Sequence, residues 1–307
     1  MVSLGGGHGL AVSLSALKLI TEQVTAVVTV ADDGGSSGRL REEFDVLPPG
    51  DLRMALAALC DDTEWGHTWR DVLQHRFPGE GPLAGHALGN LLIVSLWDLL
   101  GDTVEGLDLV GRLLNARGRV LPMASSPLEI EAEIIGHDPL RPDETLTVRG
   151  QHRVASSPGA VQGVRLLPAD PGSPPETLAA VHDADWVVLG PGSWFTSVLP
   201  HVLVPDLREA LATTSACTLL NLNLEVHTGE TRGFRAQDHL ESLLQHAPEL
   251  RLDVVLADPS CVDDLEGMRA ATDRLGARLV VVPLSTPGAP GNHDSLRLAA
   301  AYRDIFR

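Results

Sequence analysis

One lysine, Lys18, stands among 307 residues. Schiff-base and P-loop lysine chemistry are thereby largely excluded, and an anionic ligand group has to be met by arginine, backbone N–H or a metal. Cysteine is scarce as well. Cys60, Cys217 and Cys261 are far apart, odd in number and form no C-x-x-C pair, which reads as buried free thiols of a reducing compartment and not as a disulfide framework. The chain has no run of about 18 apolar residues, and no basic-then-apolar leader precedes the first strand-like segment. The expected location is cytoplasmic, with no membrane insertion. A basic face is also missing: the net charge of −18 argues against nucleic acid and anionic membrane as partners and otherwise describes a solvated surface. The 12 histidines are scattered and show no H-x-x-x-H spacing, so a structural zinc site is not expected. No Ser-His-Asp order offers a nucleophile.

What the chain does have is apolar content, 44%, enough for one large α/β core or two modest ones. Strand-like runs recur at Val2–Leu4, Val24–Val30, Trp186–Leu189, Cys217–Leu222, Leu252–Leu256 and Arg278–Val282, with helix-like stretches between several of them. This alternation predicts a mainly parallel sheet covered by helices on both faces, a Rossmann-like three-layer α/β/α fold. The first run is short, as a clipped edge strand or a misplaced start codon would leave it. From about 119 to 167 the pattern changes to short alternating segments, Leu128–Ile134, Thr145–Val148 and Val161–Leu167, expected to form a β-rich elaboration on the main sheet. Pro171–Pro175 is a turn or short linker and sets no domain boundary, so 1–307 is expected to be a single domain. No repeat or low-complexity tract interrupts it.

Ligands in such sheets gather outside the carboxyl ends of the strands, and polar turns follow at least four of these runs: Gly5–Gly9, Asp32–Arg39, Gly190–Ser193 and Asn223–Thr231. Gly5-Gly-Gly-His-Gly9 lets backbone approach a ligand closely, and the following helix aims its first N–H groups at an anion there. The turn fails the dinucleotide fingerprint at Leu10 and has no Walker lysine. Asp32 lies 23 residues beyond Gly9, about where an acid reaches ribose hydroxyls; Asp32-Asp33 is alternatively a pair for hydrated Mg²⁺. Pro48-Pro-Gly-Asp-Leu-Arg53 opens a helix, with Asp51 placed as a cap and Arg53 in the first turn. Arg39 and Arg41 join Arg53 as candidate cations, Arg41 being better read as surface. Gly89 and Asn90 start another helix, where Asn90 caps it or offers its amide to a base or sugar, and His86 beside them reads as structural. Gly190, Gly192, Ser193 and Thr196 make a second anion-friendly turn, with Trp194 and Phe195 either stacking on a base or entering the core. Glu230 reaches sugar hydroxyls or helps cap the helix of His239.

Taken together, Gly5–Leu10, Val28–Arg41 with its Ala-Asp-Asp-Gly-Gly-Ser-Ser-Gly-Arg stretch, Pro48–Arg53, Gly89–Leu91, Leu189–Ser193 and Gly229–Thr231 closely resemble the YvcK-type gluconeogenesis factor family. That family is related to the 2-phospho-L-lactate transferases of deazaflavin cofactor synthesis, the CofD proteins. The match runs in order from residue 3 to about residue 245 and weakly to His293-Asp294, and the Arg-rich composition resembles an actinobacterial member. The resemblance implies a Rossmann-like fold that binds UDP-sugars, notably UDP-N-acetylglucosamine or UDP-glucose, as a regulator linking gluconeogenic carbon metabolism to cell-wall synthesis and cell shape. It implies protein partners in that machinery and self-association into a homo-oligomer. By position, Gly6, Gly7, His8 and Gly9 approach the diphosphate, Asp32, Ser36 and Ser37 line the cleft, and Asn90, Gly190, Gly192, Ser193 and Asn223 close it. Leu10, Asp33, Asp51 and Arg53 complete the expected ligand-binding set, and no catalytic residue or firm cofactor is implied. The alternative is a Mg²⁺-dependent phosphotransferase similar to the phospholactate transferases, with Asp32 and Asp33 on the metal. Three positions depart from the family pattern: His8 stands where threonine is common, Asn292 where many relatives carry arginine, and no proline precedes Gly229.

Overall fold

The structure, a computed structural model, describes residues 1–138, 140–141, 143–225 and 229–307. His227, within the polar turn after Asn223, lies outside the described residues. Among the described residues there are twelve strands: β1 (Val2–Gly5), β2 (Thr25–Val28), β3 (Arg119–Pro122), β4 (Glu129–Ile135), β5 (Thr145–Arg149), β6 (Ala160–Leu167), β7 (Trp186–Leu189), β8 (Cys217–Asn221), β9 (Val254–Ala257), β10 (Arg278–Val281), β11 (Ser285–Thr286) and β12 (Ala289–His293). Seven of them form one sheet in the order β10-β9-β8-β7-β1-β2-β3, every pair parallel. Val2, Leu4, Ala26, Val27, Val28 and Val187–Leu189 are buried, as expected of strands covered on both faces. The sequence expectation of a parallel three-layer sheet therefore holds.

Two details differ from that expectation. The short first strand is no edge: β1 lies in the middle of the sheet, in register with β2 and β7 on either side. The β-rich elaboration starts later than 119, because Arg119–Pro122 pairs with Thr25–Val28 as the outer strand of the main sheet. Only β4, β5 and β6 form the antiparallel elaboration, in the order β5-β4-β6. Its buried Glu131 is paired with Arg149 and Arg165, so the carboxylate's desolvation is offset by two guanidinium groups.

The connection from β2 to β3 supplies one wall of the site. It contains α2 (Gly35–Phe44), α3 (Gly50–Leu59), α4 (Glu64–Gln74), α5 (Leu88–Leu100) and α6 (Thr103–Leu113), while α1 (Gly7–Leu17) links β1 to β2 and α7 (Gln151–Ala155) follows β5. In α1, Leu10, Leu14 and Leu17 recur at helical spacing and are buried, fixing the helix on the sheet with its first turn at the strand ends. Among the described residues no helix is long and apolar enough to cross a membrane.

Candidate functional site

From β1 the chain proceeds outward to β2 and β3, and from β7 outward the other way to β8, β9 and β10. The two neighbours β1 and β7 therefore bound a topological switch point, where a crevice opens at the carboxyl ends of the strands. A cleft of about 990 Å³ lies there, and Gly6, Gly7, His8, Gly9, Asp32, Asp51, Arg53, Gly192, Ser193 and Asn223 are among its walls. The two glycine turns meet across it. A Cβ on Gly9 would overlap the Pro191 carbonyl, and one on Gly6 would come within 2.6 Å of Asp51 Oδ2. Gly7 needs its glycine for another reason: its φ is +57°, a left-handed conformation costly for side chains. The space beside it is open to at least 4 Å.

A side chamber of about 190 Å³ adjoins this cleft, sharing Gly192, Ser193 and Asn223 with it and adding Asn221, Glu225, Glu230 and His239. Glu230 is no cap for the helix containing His239. Its Oε1 accepts the Phe195 N–H at 2.8 Å, at the start of the short helix 194–198, and burial pushes its carboxyl up to about 7. Trp194 and Phe195 are in the core; the Trp194 indole donates to Ser242 Oγ at 3.1 Å and packs edge-on against His239, so neither ring is free to stack on a base. Ser193 precedes that helix without capping it by its side chain.

The adjacent aspartates have different tasks. Asp32 lines the cleft and accepts the Gly34 N–H at 3.0 Å. Asp33 turns away and accepts the His152 N–H of α7 at 2.9 Å, anchoring the antiparallel elaboration to the end of β2. The expected Asp32–Asp33 metal pair therefore does not present two carboxylates to one ion. Among the described residues no group of three or more His, Cys, Asp or Glu side chains could hold a metal. Asp51 is likewise no cap, since α3 begins after Pro49 and Asp51 lies inside its first turn. Its carboxylate instead accepts the Gly7 N–H, and its pKa is pushed up to about 7 by burial and by the charge of Asp32, against the opposing pull of that N–H and Arg53. An internal carboxylate thus sits at the N-terminus of α1, where the dipole favours an anion.

Behind this wall runs a chain of buried hydrogen bonds. Arg53 Nε donates to Asn90 Oδ1 at 2.9 Å, Asn90 Nδ2 to Ser36 Oγ at 3.0 Å, and Ser36 Oγ meets His86 Nδ1 at 3.0 Å. Ser36 and Asn90, expected to touch ligand, do not line the cleft; the structure places them behind Arg53. Ser37 is buried against Gly50 of α3. Leu10 is in the core under α1, and Gly190 lies below the second turn, close to the Asn221 carbonyl. Of the other candidate cations, Arg39 donates to the Ala84 carbonyl at 2.8 Å and Arg41 to the Leu128 carbonyl at 2.7 Å, so both tie loops together outside the cleft. Asn292, noted above as standing where many relatives carry arginine, lines the cleft with His293 at the end of β12, and so do residues the sequence left without a role: Arg70 and Gln74 on α4, Arg76 just beyond, Gln151 and Ser197. Nothing in their local spacing marked them. They reach the cleft only through the docking of α4, α7 and the short helix 194–198.

Comparison with known proteins bears on the family and the fold. Residues 1–278 match the family described as 2-phospho-L-lactate transferase CofD. A putative gluconeogenesis factor of Mycobacterium tuberculosis is 51% identical over 308 aligned residues, covering 99% of this chain and 90% of that protein. The gluconeogenesis factor of Bacillus subtilis is 37% identical, covering 85% of this chain and 78% of its own. A crystal structure of a UPF0052 family member from Bacillus halodurans superposes with a TM-score of 0.86 at 33% identity, over 98% of this chain and 97% of that one.

Proposed function

The chain belongs to the CofD family, among its gluconeogenesis factors, and from that premise we propose that it is a cytoplasmic nucleotide-sugar-binding regulator. Its ligand is UDP-N-acetylglucosamine or UDP-glucose, bound without a required metal. Occupancy of the cleft reports carbon supply to protein partners in cell-wall synthesis, and the regulator works as a homo-oligomer.

The observation that carries this reading is the division of the cleft. Its centre combines a glycine turn at a helix N-terminus with Arg53 in the same wall lining, groups suited to an anion. Its side chamber is polar without being cationic, with Asn221, Asn223 and Glu225 in the wall. A diphosphate joined to an uncharged, hydroxyl-rich group has that distribution of charge.

A calorimetric panel tests it. At a ligand concentration about 100 times Kd the linkage stabilisation is about 2.7 kcal/mol, enough to raise the melting temperature by several degrees. UDP-N-acetylglucosamine or UDP-glucose is expected to give that shift, and NAD and ATP little or none. The sugar nucleotide is expected to be recovered intact after long incubation. A shift with a deazaflavin precursor and none with UDP-sugars would overturn the regulator in favour of a phosphotransferase.

A further inference from the structure

Arginine has only N–H donors, and this fixes every proton in the chain behind the cleft. Because Arg53 Nε must donate, the Asn90 oxygen faces it and the Asn90 NH₂ faces Ser36. Ser36 Oγ accepts from Asn90 and more weakly from the Ala87 N–H at 3.4 Å, so its own proton goes to His86 Nδ1. His86 has to be an acceptor at that nitrogen. The four side chains form a relay with one direction, rooted on the loop before α5 and ending on the guanidinium.

Only Nε of that guanidinium has a hydrogen-bond partner among the described residues, and Nη1 is buried with none. Arg53 itself is 4% exposed, yet it lines the cleft beside the glycine turn. A second arginine in the same wall, Arg76, repels its charge, while Asp51 and Asp32 support it. A buried cation whose donors are largely unmatched is costly unless an anion completes it. The relay meanwhile removes the rotamer freedom that an arginine loses on binding.

We propose that Arg53 is the side-chain contact for a ligand phosphate on the α3 wall, opposite the glycine turn, and that His86, through Ser36 and Asn90, is the positioning residue that presents it. The phosphate is part of the ligand proposed above, and only its identity as a nucleotide sugar rests on that reading.

Two probes keep the two apart. Inorganic pyrophosphate reports the anion contact alone, and UDP-N-acetylglucosamine reports the whole ligand; both are titrated calorimetrically into the full chain. Arg53→Gln is expected to lose roughly tenfold to a hundredfold in pyrophosphate affinity, as removal of a charge-assisted hydrogen bond does. Arg53→Lys, which keeps the charge but puts a single nitrogen in place of the separate Nε and Nη1 donors, loses affinity as well. His86→Leu lowers pyrophosphate affinity several-fold. His86→Asn, which restores an acceptor at the Nδ1 position, brings it back to within about twofold of the wild type, a rescue that a purely structural role would not single out. Pyrophosphate binding that is absent at millimolar concentration, or unchanged in folded Arg53→Gln and Arg53→Lys, overturns the contact. A His86→Asn protein as weak as His86→Leu overturns the positioning role. If pyrophosphate behaves as expected and UDP-N-acetylglucosamine does not bind, the anion site stands and the sugar-nucleotide reading falls.

Discussion

Replacing Asp51 by asparagine isolates the internal carboxylate at the start of α1. A carboxyl held at about 7 in place of the ordinary 3.8 is one whose ionised form the fold disfavours by about 4 kcal/mol, at about 1.4 kcal/mol per tenfold change in proton affinity. The sign follows from linkage. Between those two values the native state holds the proton that the unfolded chain has released, so stability is fully present below 3.8 and is lost as pH rises through about 7. Asparagine has nothing to ionise, and its side-chain oxygen can still accept the Gly7 N–H. Denaturant unfolding of both proteins from about pH 3.5 to pH 8 should therefore show similar stability at the acid end and a growing advantage for Asp51→Asn. That advantage should level off just above neutrality at about 4 kcal/mol. Glu230, also raised to about 7, titrates in both proteins and cancels in the difference. Loss of the negative charge beside the turn should also strengthen pyrophosphate binding at pH 8. A stability difference independent of pH, or a variant less stable than wild type at pH 8, would refute the assignment of this carboxylate as buried and electrostatically opposed.

The two glycines of the first turn should fail differently. Gly7→Ala places a methyl in open space at a φ of +57°, so it should cost about 1–2 kcal/mol of stability while blocking phosphate approach, visible as lost ligand-induced thermal shift in a folded protein. Gly9→Ala drives a Cβ to 2.7 Å from the Pro191 carbonyl carbon and 2.8 Å from Gly192 Cα, and should cost about 1–3 kcal/mol or more by forcing the two turns apart. A Gly9→Ala protein as stable as the wild type would count against that contact. Glu230→Gln keeps an acceptor for the Phe195 N–H and loses the ionisation cost, so it should be more stable than wild type above about pH 7, whereas Glu230→Ala orphans that N–H and should lose about 1–3 kcal/mol. Urea midpoints at pH 8 distinguish the pair.

The parallel sheet and both glycine turns were legible because their signals are local: apolar runs of strand length, and glycines where backbone must come close to backbone. Sequence order also showed which turns belong to the strand ends. What it could not show is which way a side chain faces once elements from different parts of the chain meet. Asp32 and Asp33 are chemically identical neighbours, and only the docking of α7, more than 110 residues later, takes Asp33 out of the cleft. Ser36 and Asn90 carry the polar groups expected of a ligand site, but α5 packs so that they meet each other and Arg53 instead. Arg119–Pro122 has strand character yet was grouped with the elaboration that follows it, since five helices separate it from its partner β2. Arg70 and Arg76 gave no signal because a lone arginine on an amphipathic helix or in a loop looks like surface until the opposite wall is known. For these side chains the residue type suits a binding site, and long-range packing decides whether the residue lines the cleft or lies behind its wall.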